Sequence, residues 1–242
     1  MIGTWRGALI LTKHELSRSL KSYILVLFFL VYLIFFLLPM LKSILEGEKH
    51  IALEWAVDFL FYTMLPTIGL LCGKLQLQYW KSDPYSKKMA IWRTMPISSK
   101  QIALARYLQV LFGAVVTQVP LFTAFYIMIH YSSIQLPIST FIVFSLTWFS
   151  ISLIITYLII YLELGFTGKM YSVIYSLFMV VVMGFTMLYV ALFRVSMVKL
   201  SINTISNGNY WPAVIAAAAA TLVYVFGLKA LISRLNKREY IG

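Results

Sequence analysis

Most of the groups that enzymes use are scarce here. Of 242 residues, one is cysteine and eight are acidic, against 20 lysines and arginines. The lone cysteine, Cys72, lies in an apolar stretch, which excludes a disulfide framework and a thiol metal site. Fragments that imitate catalytic motifs lack the residues that matter. Around Gly165–Met170, the first glycine of a phosphate-binding loop falls on Glu163 and its Ser/Thr on Met170. His14-Glu15 opens like a zinc-protease helix, but the second ligand position is Arg18, and no Gly-x-Ser-x-Gly occurs. The chain has no recognised loop for ATP and reads as a non-enzyme that binds no cofactor or metal itself.

Apolar residues fill the space that chemistry leaves. They make up 61% of the chain, with a mean hydropathy of +0.87, which excludes a soluble globular domain. The net charge of +12 does not point to nucleic acid, because the basic residues sit at the ends of apolar segments. Runs long enough to cross a bilayer predict six helices at about 23–41, 55–73, 107–130, 138–162, 170–193 and 210–228. The first run has no small-residue cleavage site and reads as a retained anchor. The expected fold is an all-α polytopic membrane protein, one transmembrane domain over 1–242, with two further short helices outside the spans.

Charge orients it. With both termini inside, 16 Lys and Arg residues fall on the cytoplasmic side, and Lys42, Lys49, Arg194 and Lys199 make four outside. Glu46, Glu48, Glu54 and Asp58 cluster at the outer side, where Asp58 reads as a solvated rim residue. No charge is expected near the midplane of a span, which weakens a proton-coupled carrier or an intramembrane protease. Pro66 and Pro120 should kink their spans, and Gly69 and Gly73 permit close helix approach. Thr117, Gln118, Ser145, Thr147, Ser150, Ser152 and Thr156 lend polarity to the third and fourth spans. They serve interhelical hydrogen bonds or a path for an amphipathic substrate.

Residues 3–21 read as an amphipathic helix on the inner leaflet, with Trp5, Leu9, Leu16 and Leu20 on one face and Arg6 and Lys13 flanking it. Lys74–Arg106 is a basic island between two spans, with seven of the 20 basic residues and one acid, Asp83. Asp83-Pro84 signals a helix start, and Pro96 disfavours helix at Met95, so a short helix is expected over 84–95. Tyr85, Met89 and Trp92 form its apolar stripe, which needs a cover of lipid headgroups or a protein groove. Ser98 to Gln101 fits a capping box that starts the next helix.

The run Lys87-Lys88-Met89-Ala90-Ile91-Trp92-Arg93-Thr94-Met95-Pro96-Ile97-Ser98-Ser99-Lys100-Gln101-Ile102 resembles the second cytoplasmic loop of the ABC-2 type transporter permeases. There a short coupling helix precedes a Pro-Ile-Ser turn and the third span. The layout is similar over the whole chain, the motif only over Met95–Gln101, and the acidic residue and glycine common before that turn are absent. The resemblance implies a permease subunit, as homodimer or heterodimer with a similar permease. Separate ATP-binding cassette subunits would carry the ATP and Mg. It implies that Tyr85, Lys88, Met89, Trp92, Arg93 and Met95 contact that ATPase subunit, with Glu163, Gly165 and Lys169 on the next cytoplasmic loop as a second contact. It also implies export of a lipid, peptide or drug-like molecule across the cell membrane, and re-entrant helices in the 194–209 loop. The alternative is a polytopic membrane protein without an ATPase, such as a secondary carrier, channel or immunity protein.

Overall fold

The computed structural model describes residues 3–18, 20–47, 50–70, 84–95, 97–132, 134 and 136–237, with the main chain alone at 18, 20–23, 25, 84–86 and 93. All regular structure among the described residues is helical: α1 (Thr4–Arg18), α2 (Leu20–Glu46), α3 (Ile51–Ile68), α4 (Pro84–Thr94), α5 (Ser99–His130), α6 (Ile138–Gly165), α7 (Gly168–Phe193), α8 (Met197–Ser206) and α9 (Trp211–Lys237). Six of these helices, α2, α3, α5, α6, α7 and α9, are long and apolar enough to cross a membrane. A backbone in hydrocarbon must satisfy its own hydrogen bonds, so such runs fold as helices. Asp83 and Cys72 lie outside the described residues.

Helix bounds follow local chemistry. Ser98 accepts from the Gln101 amide at 3.3 Å while the Gln101 side chain accepts from the Ser98 amide at 3.0 Å, the expected capping box. From there α5 runs 32 residues. At 1.5 Å per residue it is about 48 Å long, well beyond a hydrocarbon core of about 30 Å. Its first turns are nonetheless packed, with Ile102, Ala103, Leu104 and Ala105 buried and α1 lying along them. The first span, expected at 23–41, is part of a helix that continues to Glu46, and the fourth continues to Gly165.

α5 and α6 are the centre, and α7 and α9 bury far less of their surface. α9 packs along α6, α1 along the start of α5, and α3 against α6 and α7. On α2 the buried residues Val26, Leu30, Leu33, Leu37, Leu41 and Ile44 recur every three or four positions, one helical stripe against the bundle. That stripe joins α3, α5, α6 and α8 side chains in one core cluster. A second cluster gathers α4, the starts of α5 and α7 and the ends of α6 and α9. Arg106 near the start of α5 meets Glu163 near the end of α6, and Arg234 of α9 reaches Gly165. This end, beside α1 and α4, is called basal here; the opposite end, with α8, is distal.

Polar residues divide into two groups. Ser145, Thr147 and Ser150 bond carbonyls of their own helix. Gln118 works between helices instead, and Thr156, whose hydroxyl bonds Ser152 O of its own helix at 2.7 Å, also reaches across. Gln118 Nε2 donates to Leu65 O at 3.0 Å and to Ser152 Oγ at 2.6 Å, and Thr156 Oγ1 donates to Pro66 O at 3.1 Å. Leu65 and Pro66 sit in the last turn of α3, where carbonyls have no partner within the helix, so α5 and α6 supply one. The Gly69 turn then crosses Gly113 of α5 at backbone contact. A Cβ on Gly113 meets Gly69 O at 2.6 Å, with no flexible side chain to give way.

Gly113→Ala should therefore destabilise by about 1–3 kcal/mol through overpacking. Thermal unfolding of the detergent-purified protein reads this, with Gly184→Ala as control. A Cβ at Gly184 meets nothing within 4 Å, and that variant should unfold no earlier than the parent.

Candidate functional site

The basal end gathers the charged side chains that sequence spacing could not pair. Arg106 and Glu163, 57 positions apart, form a buried ion pair. Nη2 donates to both carboxylate oxygens at 2.7 and 2.9 Å, Nε reaches Oε2 at 3.3 Å, and Nη1 donates to Gln109 Oε1 at 2.8 Å. The side chains are 8% and 0% exposed. Two charges leave water at this depth without heavy loss only when geometry and extra hydrogen bonds compensate, and this fork provides both.

A second pair ties α4 to α1. Lys88 Nζ of α4 donates to Glu15 Oε2 of α1, and the ammonium also lies 4.6 Å from the centre of the Trp92 ring. Burial pushes the Lys88 ammonium below its ordinary value, and the hydrogen bond and charge of Glu15 oppose that shift. Glu15, Lys88, Met89, Trp92, Arg106 and Gln109 line a narrow cleft between α1, α4 and α5. Deeper in the same cluster, Tyr107 stacks on Tyr157 with ring centres 4.7 Å apart.

α4 faces differently from expectation. Met89 is 2% exposed, and Trp92 packs beside it against the basal core. The stripe expected to meet an outside groove is thus filled by the chain's own α5 and α6 side chains. Among the described side chains, the apolar residues left open here are Ile91 and the following Met95, with Lys87 and Thr94 exposed beside them. The side chains of Tyr85 and Arg93 lie outside the described residues.

The second expected contact changes more. Because α6 runs on to Gly165, Glu163 and Gly165 are buried rather than on a loop, and the turn to α7 is only Phe166 and Thr167. Glu163 is consumed by Arg106. Gly165 O accepts from Arg234 Nε at 3.3 Å, and that guanidinium lies 5.1 Å from the Phe166 ring. Lys169 alone of the three is exposed. No residue type at Arg106 or Glu163 announces this partnership; the only sequence signal is that both sit about a turn or two inside the basal ends of apolar helices.

α1 also has two faces. Ala8 and Thr12 are buried against α5, with Thr12 Oγ1 donating to Ala8 O at 2.8 Å and Ala105 O at 3.2 Å. Trp5, Leu9 and Ile10 are exposed beside Arg6 and Lys13, and Leu16 is half-buried. The expected stripe of Trp5 and Leu9 therefore flanks the packing face, and the side chain of Leu20 lies outside the described residues.

At the distal end Asp58 is not a rim residue. It is fully buried, and its carboxylate accepts from the Met197 amide at 2.7 Å and the Val198 amide at 3.1 Å. It caps α8 from another helix, a role hidden by a separation of 139 positions. The 194–209 loop thus contains a ten-residue helix. Among the described residues no group of three or more His, Cys, Asp or Glu side chains is arranged to hold a metal.

Glu163→Gln should leave the Arg106 guanidinium buried without its counter-charge and cost about 3–5 kcal/mol. Replacing both by Met should restore most of it, since no charge is then stranded. Thermal unfolding of the three proteins side by side reads the difference, and equal losses in single and double variants would refute the pairing. No protein-family model, curated protein or solved structure matches this chain.

Proposed function

We propose that this chain is the membrane-spanning permease subunit of an ATP-driven transporter of the ABC-2 type. The basal end is then cytosolic at the cell membrane, consistent with its basic residues. Two copies, or one copy with a similar permease, sit over separate ATPase subunits that bind ATP and Mg. Trp5, Leu9 and Ile10 lie in the inner leaflet, with Arg6 and Lys13 toward anionic headgroups. The transported molecule is a lipid, peptide or drug-like compound moving outward.

The observation that carries this reading is how α4 is held. It is a separate 11-residue helix, too short to be stable alone, joined by a capped turn to the longest helix of the bundle. Lys88, Met89 and Trp92 fix it to α1 and the basal core, and Ile91 and Met95 point away. A push on such an element is passed to α1 and α5 rather than absorbed. That makes Ile91 and Met95, with Lys87, the contacts with the ATPase, and Met89 and Trp92 the hold on the permease.

One observation favours a second reading. The burial of Met89 and the partial burial of Trp92 give α4 a structural reason to exist in a polytopic membrane protein that has no ATPase, such as a carrier, channel or immunity protein.

Affinity purification from the native membrane separates the two. An ATP-binding subunit should co-purify, and Ile91→Asp or Met95→Asp should weaken its retention about tenfold or more, as expected for loss of an interface anchor, with unfolding temperature unchanged. Recovery of the intact chain with no ATPase, from cells that express the whole genome, contradicts the proposal.

A further inference from the structure

Three acids are buried among the described residues: Glu54, Asp58 and Glu163. Two of them are compensated. Glu163 is held in the Arg106 fork, and Asp58 accepts the Met197 and Val198 amides at the start of α8. Glu54 differs. It is 4% exposed, and its Oε2 is sealed from the surface without a hydrogen-bond partner.

The cations described at the distal end are engaged elsewhere or turned outward. Lys42 pairs with Glu46 at 3.7 Å, Lys199 Nζ donates to Ile44 O at 2.9 Å, and Arg194 is exposed at the end of α7. His50, the residue before α3, is exposed as well. Among the described residues no ion pair reaches Glu54. Glu54 does sit in the first turn of α3, where the helix dipole favours an acid. That help is small beside the penalty for stranding a carboxylate away from water.

Asp58 lies four positions along, so the two carboxylates share one face of α3, with Cβ atoms about 5–6 Å apart. Each Asp58 oxygen uses one lone pair on an α8 amide and keeps another, which leaves acceptor sites for a common guest. Charge selects the guest. The amides and N-terminal dipole of α8 answer Asp58, so one negative charge, that of Glu54, is left to balance. A divalent metal demands more ligands, and no group of three or more His, Cys, Asp or Glu side chains gathers among the described residues.

We propose that Glu54, with Asp58 beside it, binds a small monovalent cation at the distal end of the bundle, an alkali ion or the ammonium group of an amine. Glu54 supplies the charge, and Asp58 supplies a second set of oxygens. The inference rests on α3 and the start of α8, and holds whether or not an ATPase drives the protein.

Thermal unfolding of the detergent-purified full-length protein tests it, at constant ionic strength with choline as the bulky reference cation. Lithium, sodium and potassium form one arm, and methylammonium the other. At least one of these should raise the unfolding temperature saturably, by about 4 °C or more, because a ligand stabilises the state that binds it. A rise with alkali ions alone identifies an inorganic ion, and a rise with methylammonium alone an amine. Glu54→Gln should abolish the rise. Glu54→Asp, which keeps the charge but withdraws it by one methylene, should raise the half-saturating concentration about tenfold. Glu46→Gln, at an exposed acid of the same end, should leave the response unchanged. No rise above the choline reference in either arm, a rise that survives Glu54→Gln, or an unshifted Glu54→Asp overturns the proposal.

Discussion

Helix ends that finish inside this bundle have to be closed by side chains from other helices. An amide or carbonyl left open in hydrocarbon costs several kcal/mol, more than most single contacts return. Gln118 and Thr156 close the last turn of α3 from α5 and α6, and Asp58 closes the first turn of α8 from α3. These bonds fix which helices are neighbours and at what height. The apolar packing around them, through Phe61, Phe144, Trp148 and Leu37, could accept several registers; the capped ends accept one.

The basal end obeys the same rule with charges in place of backbone groups. Arg106 and Glu163 are buried on two helices that could otherwise slide, and their fork fixes the lateral register of α5 against α6. A buried pair of this kind contributes little net stability over an apolar one but penalises misplacement heavily. The half-buried Lys88–Glu15 bridge extends this ordering to α1 and α4, which are too short to hold position on their own. The two ends thus differ in kind. The basal end is a charge-bonded platform, while the distal end is an apolar core under one carboxylate-capped helix.

Local signals carried far in the sequence. The apolar runs specify helices because period and length are local, and the Ser98–Gln101 box is legible because its two bonds join residues three apart. What failed were statements about which way a side chain faces. Met89 lies on an apolar stripe in any reading of α4, but only the presence of α5 and α6 beside it decides that the stripe is filled from within. Asp58 looks like a rim residue because its partners arrive 139 and 140 positions later. Glu163 looks like a loop residue because nothing near it predicts that α6 runs on to Gly165.

By itself, then, the sequence determined six apolar helices, a separate short helix expected at 84–95 and where the longest helix begins. Those follow from hydrogen-bond closure in hydrocarbon and from capping between near neighbours. Only the tertiary structure decided that Arg106 pairs with Glu163, that Lys88 joins α4 to α1, and that Asp58 holds α8. The reason is physical. A buried charge is tolerated only beside its partner, and where that partner lies is set by how whole helices pack, which no single stretch of chain encodes.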